Sequence, residues 1–337
     1  METESTYQFI DLFSGCGGMS LGFEMCGFSP ALAIDNWQDA LTTYTYNRKG
    51  AKTLCADLST IDPYQIKAQL GTKKIDIIIG GPPCQGFSVA GKRIIDDKRN
   101  TLYRSFVKFV EAFSPKAFVM ENVPQILTMG NGIILNSIIH DFENIGYRIS
   151  YKILTASDYG VPQNRRRAFF VGTPDINFKF PEKTKEDPIT SKDALSDLPL
   201  ESLPNGSSYT SSPNSPYQEL IRRGSKGVYN HEVTVHTENT RRIISMVPDG
   251  GNYKDLPIEL QNIRKVHIAW TRLNSKKPSF TIDCGHNHHF HYEYPRVPTV
   301  RESARLQSFP DKIFVYVFSF LMVPRKSILY DKELKME

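Results

Sequence analysis

The apolar positions of this chain fall into short runs, and most of the runs stop on glycine or on an acid. Residues 75–79 (Ile-Asp-Ile-Ile-Ile) read as a buried strand that ends at Gly80-Gly81. Residues 7–13 form a similar run, followed by Ser14-Gly15-Cys16-Gly17-Gly18. Residues 19–26 have helical spacing, with Gly27 as the C-terminal cap. Strand, glycine turn and helix open a nucleotide-binding α/β sheet. Two more strands come next, residues 31–34 stopping at Asp35 and residues 53–56 stopping at Asp57. Residues 101–113 have the pattern of an amphipathic helix, and residues 117–120 read as a buried strand with Glu121 at its end. Residues 168–173 close the series. The pattern predicts an α/β protein on a doubly wound, mostly parallel, Rossmann-like sheet, with a smaller irregular domain.

Beyond that last strand the periodicity fades. Residues 199–216 are rich in Ser, Pro, Asn and Gly and read as loop or linker. The expected division is a first domain over 1–177, a second over 178–283, and a return to the first over 284–337.

Composition narrows the class. The chain has 337 residues and a net charge of +5, which suits a polyanionic partner. Its cysteines (Cys16, Cys26, Cys55, Cys84 and Cys284) are scattered and odd in number, so they imply a reducing compartment and no disulfide framework. The start, Met1-Glu2-Thr3-Glu4, lacks the character of a signal peptide. The longest apolar run, residues 313–323, is far short of the roughly 20 residues of a membrane span. No internal repeats are present.

The strand ends carry the candidate chemistry. Gly80-Gly81-Pro82-Pro83-Cys84-Gln85-Gly86 lets the chain turn sharply and then stiffens it, displaying one thiol at a strand's carboxyl end. A free cysteine is ordinarily a small buried hydrophobe, but such a residue needs no Gly-Gly-Pro-Pro before it. A phosphatase-type loop would place arginine where the chain has Ala90, and papain-like and caspase-like signatures are absent. The glycine turn lacks the third glycine of a dinucleotide fingerprint, having Ser20 there, and alone it is equally an ordinary βα turn. Asp35, about 20 residues on, is where an acid accepts ribose hydroxyls. With no P-loop lysine, the cleft suits a nucleoside without phosphates. Residues 89–100 are basic and read as a lid over a phosphate backbone or as a solvated loop. Glu121 would share a cleft with Cys84. Arg165 and Arg167 alternate, so an extended segment points both one way, as cleft residues or as a basic strand edge.

Gly81-Pro82-Pro83-Cys84-Gln85, Glu121-Asn122-Val123, Gln163-Asn164-Arg165-Arg166-Arg167 and residues 301–311 occur in this order. From about Phe9 to Asp311 the chain resembles the cytosine-C5 DNA methyltransferase family, in its bacterial modification form. The resemblance implies transfer of a methyl group from S-adenosylmethionine to a cytosine flipped out of double-stranded DNA. It implies Cys84 as nucleophile, Glu121 at cytosine N3, Arg167 at O2 and Arg165 at a phosphate. Phe13, Gly15, Gly17, Asp35, Asn36, Asp57 and Pro82 are the expected cofactor residues, with Asn36 or Trp37 bordering the adenine. Ser88, Lys92, Arg93, Arg99, Arg241 and Arg242 are the expected DNA contacts. Residues 178–283 become a target-recognition domain, and residues 301–311 a helix that organises it. His286, His288, His289 and His291 complete no zinc pattern and read as a polar hinge. The expected partners are DNA and a restriction endonuclease of the same site, with the enzyme working as a monomer away from membranes.

The family pattern continues after Asp311 to a Gly-Asn-Ala-Val-Pro-like segment, whereas here an aromatic-rich run takes its place with no Gly or Asn. The expectation is weaker cofactor binding or lower stability than in a relative with that segment. The alternatives are an RNA (tRNA) cytosine-C5 methyltransferase and a DNA-binding relative that has lost catalysis. The Cys-Phe-Thr tripeptide of the tRNA branch is absent.

Overall fold

The computed structural model describes residues 7–83, 101–261, 270–282 and 289–316. A seven-stranded sheet dominates it, built from β1 (Gln8–Leu12), β2 (Ser29–Asp35), β3 (Thr53–Cys55), β4 (Ile77–Gly80), β5 (Ala117–Asn122), β6 (Arg148–Thr155) and β7 (Arg166–Thr173). The spatial order is β3-β2-β1-β4-β5-β7-β6. The first five strands are parallel, and β7 runs antiparallel to both β5 and β6. The helices are α1 (Gly18–Met25), α2 (Gln38–Asn47), α3 (Pro63–Leu70), α4 (Thr101–Phe113) and α5 (Ile133–Glu143). The order reverses beside β1 and β4, which puts a crevice at the carboxyl ends of the parallel strands.

Burial explains why these strands are legible. Phe9, Ile10, Leu12, Ile34, Ile78, Ile79 and Phe118 are fully buried under helices, as in parallel sheets covered on both faces. Phe106 and Phe142 pack on Phe118, the latter stacked at 4.1 Å. Gly80 is required where β4 meets β1, because a Cβ there would overlap the Leu12 carbonyl oxygen. The antiparallel edge strand β6 is not among the sequence expectations. It is half-exposed and carries Arg148 and Lys152, so its apolar alternation is diluted.

The carboxyl-terminal region holds α6 (Ser191–Leu195), α7 (Pro216–Arg222), α8 (Glu238–Met246), α9 (Ile258–Gln261), a short parallel pair of β8 (Thr271–Arg272) and β9 (His289–Phe290), and α10 (Val300–Leu306). It has two small apolar clusters of its own, one around Leu195, Tyr217 and Leu273 and one around Ile243, Trp270 and Phe290. Between elements this region relies on charge. Arg305, fully buried, pairs with both oxygens of Asp311 at 2.9 and 2.6 Å and with Asp197, which also holds Arg222. Glu302 takes Arg296 in a two-bond pair at 2.7 Å, and both lie inside the protein. The arginines hold the Asp311 and Glu302 carboxyls below their usual range despite burial. His291 is also fully buried and stacks on Tyr294, and burial pushes its pKa down to about 4. It is a neutral core residue, which corrects the reading of a polar hinge at this position, while His286 and His288 lie outside the described residues. Asp311→Ala would leave two buried guanidiniums short of a partner. A loss of about 3–5 kcal/mol is expected in urea unfolding.

The chain after Asp311 is held from both sides as far as it is described. The Asn47 side chain exchanges two hydrogen bonds with the Phe314 backbone, at 2.7 and 2.8 Å, and Asn230 does the same for Val315, at 2.8 Å. Residues 317–337 lie outside the described residues.

Candidate active site

The carboxyl ends of β1, β2 and β3 build one half of the crevice. After β1 the chain enters left-handed conformations at Phe13 (φ 58°), Gly15 (φ 52°) and Gly17 (φ 84°). Only glycine takes these without a steric penalty. The Gly15 N–H donates to Asp35 Oδ2 at 2.8 Å, and the Trp37 N–H donates to Oδ1 at 2.9 Å. The end of β2 is thereby locked to the turn after β1. Burial pushes the Asp35 pKa up, against the backbone donors that favour its charged form. The two glycines differ in role. A Cβ on Gly15 would meet nothing, so the turn faces open space there. The same atom on Gly17 would collide with Tyr44 and Arg48, so Gly17 serves packing.

Arg48 braces the turn from beneath. It donates to the Gly17 carbonyl at 2.8 Å, pairs with Glu24 at 2.7 Å and lies 4.2 Å over the Tyr44 ring. Asp11 accepts the Ser20 hydroxyl at 2.5 Å, and burial pushes its pKa up to about 7. None of these supports is among the sequence-predicted site residues, since nothing in periodicity or motif marks them. Asp57 is exposed just after β3, where its carboxylate caps a turn through the Ser59 N–H at 2.9 Å. Asn36 is exposed, whereas Trp37 packs with Cys16 and Phe309 against α10.

The ends of β4, β5 and β7 build the other half. Pairing of β4 with β5 stops at Gly80 and Met120. The Pro82 carbonyl, just beyond, takes the Asn122 Nδ2–H at 2.9 Å, so a side chain continues the ladder by one step. Glu121 points to the Gly81 side, where a Cβ would lie 3.3 Å from its Oε2. Its other oxygen pairs with Arg167 Nε at 2.8 Å and faces Arg165 at 3.8 Å. Both arginines lie on the Glu121 side, as their alternate spacing predicts. Burial pushes the Glu121 pKa up, and the two guanidiniums limit the rise.

The structure thus brings Phe13, Gly15, Gly17, Asp35, Asn36, Asp57, Pro82, Glu121, Arg165 and Arg167 to one edge of the sheet. Cys84, Ser88, Lys92, Arg93 and Arg99 lie outside the described residues. Arg241 and Arg242 are exposed on α8, whose Ile243 and Ile244 are buried. Among the described residues no helix is long and apolar enough to cross a membrane.

Comparison with known proteins decides the family. A family model of C-5 cytosine-specific DNA methylases matches residues 7–327. The chain belongs to the C-5 cytosine-specific DNA methylase family. It is a DNA (cytosine-5-)-methyltransferase. It is 38% identical over 333 residues to the type II methyltransferase M.DdeI of Desulfomicrobium norvegicum, covering 92% of this chain and 79% of that protein. It is likewise 38% identical over 313 residues to M1.HphI of Haemophilus parahaemolyticus, with the same coverage. A crystal structure of a prophage-encoded E. coli protein described as a DNA modification methyltransferase aligns with a TM-score of 0.77, 29% identity and 94% coverage of each chain. DNMT2 of Spodoptera frugiperda shares the fold at TM-score 0.61 and 15% identity, over 94% of this chain and 95% of that one. In the methylase described here, the sheet edge with Glu121, Arg165 and Arg167 is the candidate active site.

Proposed function

We propose that this methylase transfers the methyl group of S-adenosylmethionine to C5 of a cytosine flipped out of a specific double-stranded DNA sequence, through a bond between Cys84 Sγ and cytosine C6. The observation that carries the reading is the joint at Gly81 and Pro82. Glu121 lies against Gly81 while Asn122 pins the Pro82 carbonyl, so an acid with a raised pKa is fixed beside the segment that leads into the nucleophile's loop.

Cytosine C5 is a poor nucleophile. Thiolate addition at C6 makes it enamine-like, and Glu121 supports the proton at N3 that this addition requires. Arg167 orients Glu121 and, once a base enters, reaches its O2, while Arg165 serves a phosphate. When bound, the cofactor supplies an electrophilic sulfonium methyl. After transfer, C5 gives up its proton and the Cys84 thiolate leaves by β-elimination. Flipping the base costs a few kcal/mol of stacking and pairing.

The cofactor fits the other half of the crevice. The open face of Gly15 beside Phe13, the buried Asp35 carboxylate and the exposed Asp57 and Asn36 suit ribose and adenine. Pro82, next to the end of β4, is the residue proposed to complete this pocket. Residues 178–283 are the proposed recognition domain, with Arg241 and Arg242 on DNA together with Ser88, Lys92, Arg93 and Arg99 of the loop after Cys84. Because the relatives are named type II methyltransferases, a restriction endonuclease of the same specificity is the proposed functional partner. Bisulfite sequencing of DNA from cells expressing the chain tests the reading. One fully methylated sequence context is expected, and unmethylated DNA with methylated tRNA would refute it.

A further inference from the structure

Residues 161–165 form a joint between the sheet and the carboxyl-terminal region. The Asn164 N–H donates to the Ser279 carbonyl at 2.7 Å, and the Ser279 N–H donates to the Pro162 carbonyl at 2.9 Å. The segment that carries Ser279 is tied at the Lys277 carbonyl to the Ser191 N–H of α6, at 2.9 Å. On the other side, the fully buried Gln163 donates its Nε2–H to the carbonyl of Leu306, the last residue of α10, at 3.1 Å. The preceding carbonyl, that of Arg305, accepts the Tyr217 hydroxyl at 2.5 Å. The last carbonyls of a helix have no partner within it. Here two side chains finish α10, one from the sheet side and one from the recognition side.

Gln163 is too deeply buried to reach DNA or cofactor. Two and four residues later come Arg165 and Arg167, which hold Glu121. The joint is polar and closed to solvent, with Gln163 fully buried and Ser279 nearly so.

We propose that Gln163 is a positioning residue. Its bond to Leu306 fixes residues 163–167 against α10, so that the recognition domain and the cluster of Glu121, Arg165 and Arg167 are held as one body. This rests on the reading of Glu121 given above. The test compares the wild-type chain with Gln163→Leu and Gln163→Met, well below their unfolding midpoints, on a duplex carrying the methylated sequence. Single-turnover transfer is expected to fall about 10- to 100-fold, as for a small misplacement of reacting groups. The KM for DNA is expected to stay within about threefold, since the residue touches no substrate. The limb of the pH–rate profile set by Glu121 is expected to move up by about half a unit to one unit, as its guanidiniums drift away. Wild-type turnover in both variants, or slower turnover with that limb unmoved, overturns the proposal while leaving the reading of the site intact. A wild-type chain that methylates DNA but loses nothing on Glu121→Gln overturns both.

Discussion

Cys84→Ala is expected to abolish methyl transfer to DNA while leaving cofactor and DNA affinity near the wild-type values. The loss should be about 10⁴-fold or more, because removal of the nucleophile closes the covalent route and C5 of an unactivated cytosine does not attack a sulfonium at a useful rate. Binding should survive, since described residues outside the Cys84 loop already organise the cofactor half of the crevice. Gly15 and Trp37 hold Asp35, and Arg48 braces Gly17. Isothermal titration with S-adenosylmethionine and a radiolabelled methyl assay together check this. Residual transfer above a few per cent of wild type would count against covalent catalysis.

Glu121→Gln is expected to slow transfer by about 10²- to 10³-fold, the range for loss of a positioned acid that also stabilises developing charge. The substitution keeps the shape against Gly81 but removes the proton that N3 needs. It also removes the ionised carboxylate that pairs with Arg167 at 2.8 Å before the proton is taken up. The sign of the pH effect comes from burial. The Glu121 pKa is raised, so the protonated form persists above the range of an ordinary glutamic acid, and wild-type activity falls as pH rises through that value. In the glutamine variant this limb should vanish. An unchanged pH profile in single-turnover measurements would take Glu121 out of the proton transfer.

Much of this site is legible in the sequence because parallel strands buried on both faces leave continuous apolar runs, and the residues just past the end of each run lie at the crevice. Asp35, Asp57, Glu121 and the loop leading to Cys84 are placed on that ground alone. Other features depend on register across strands. Asn122 reaches the Pro82 carbonyl only because β4–β5 pairing stops at Gly80 and Met120. Arg301 and Arg305 have the sequence character of solvent-facing helix residues. They are fully buried because Asp311 and Asp197 come to meet Arg305, the latter from 108 positions away. His291 misleads for the same reason, its burial being set by Glu302 and Tyr294 packing around it. The edge strand β6 escapes because half of its surface faces water.

The most direct test is a duplex carrying 5-fluorocytosine at the methylated position, incubated with the chain and S-adenosylmethionine and analysed by denaturing mass spectrometry. Fluorine at C5 cannot depart as a proton, so elimination stalls. The account predicts a stable protein–DNA species whose DNA is attached at Cys84, formed only with cofactor and absent in Cys84→Ala. Normal methylation of ordinary DNA with no trapped species on the fluorinated duplex, or attachment at another residue, would contradict it.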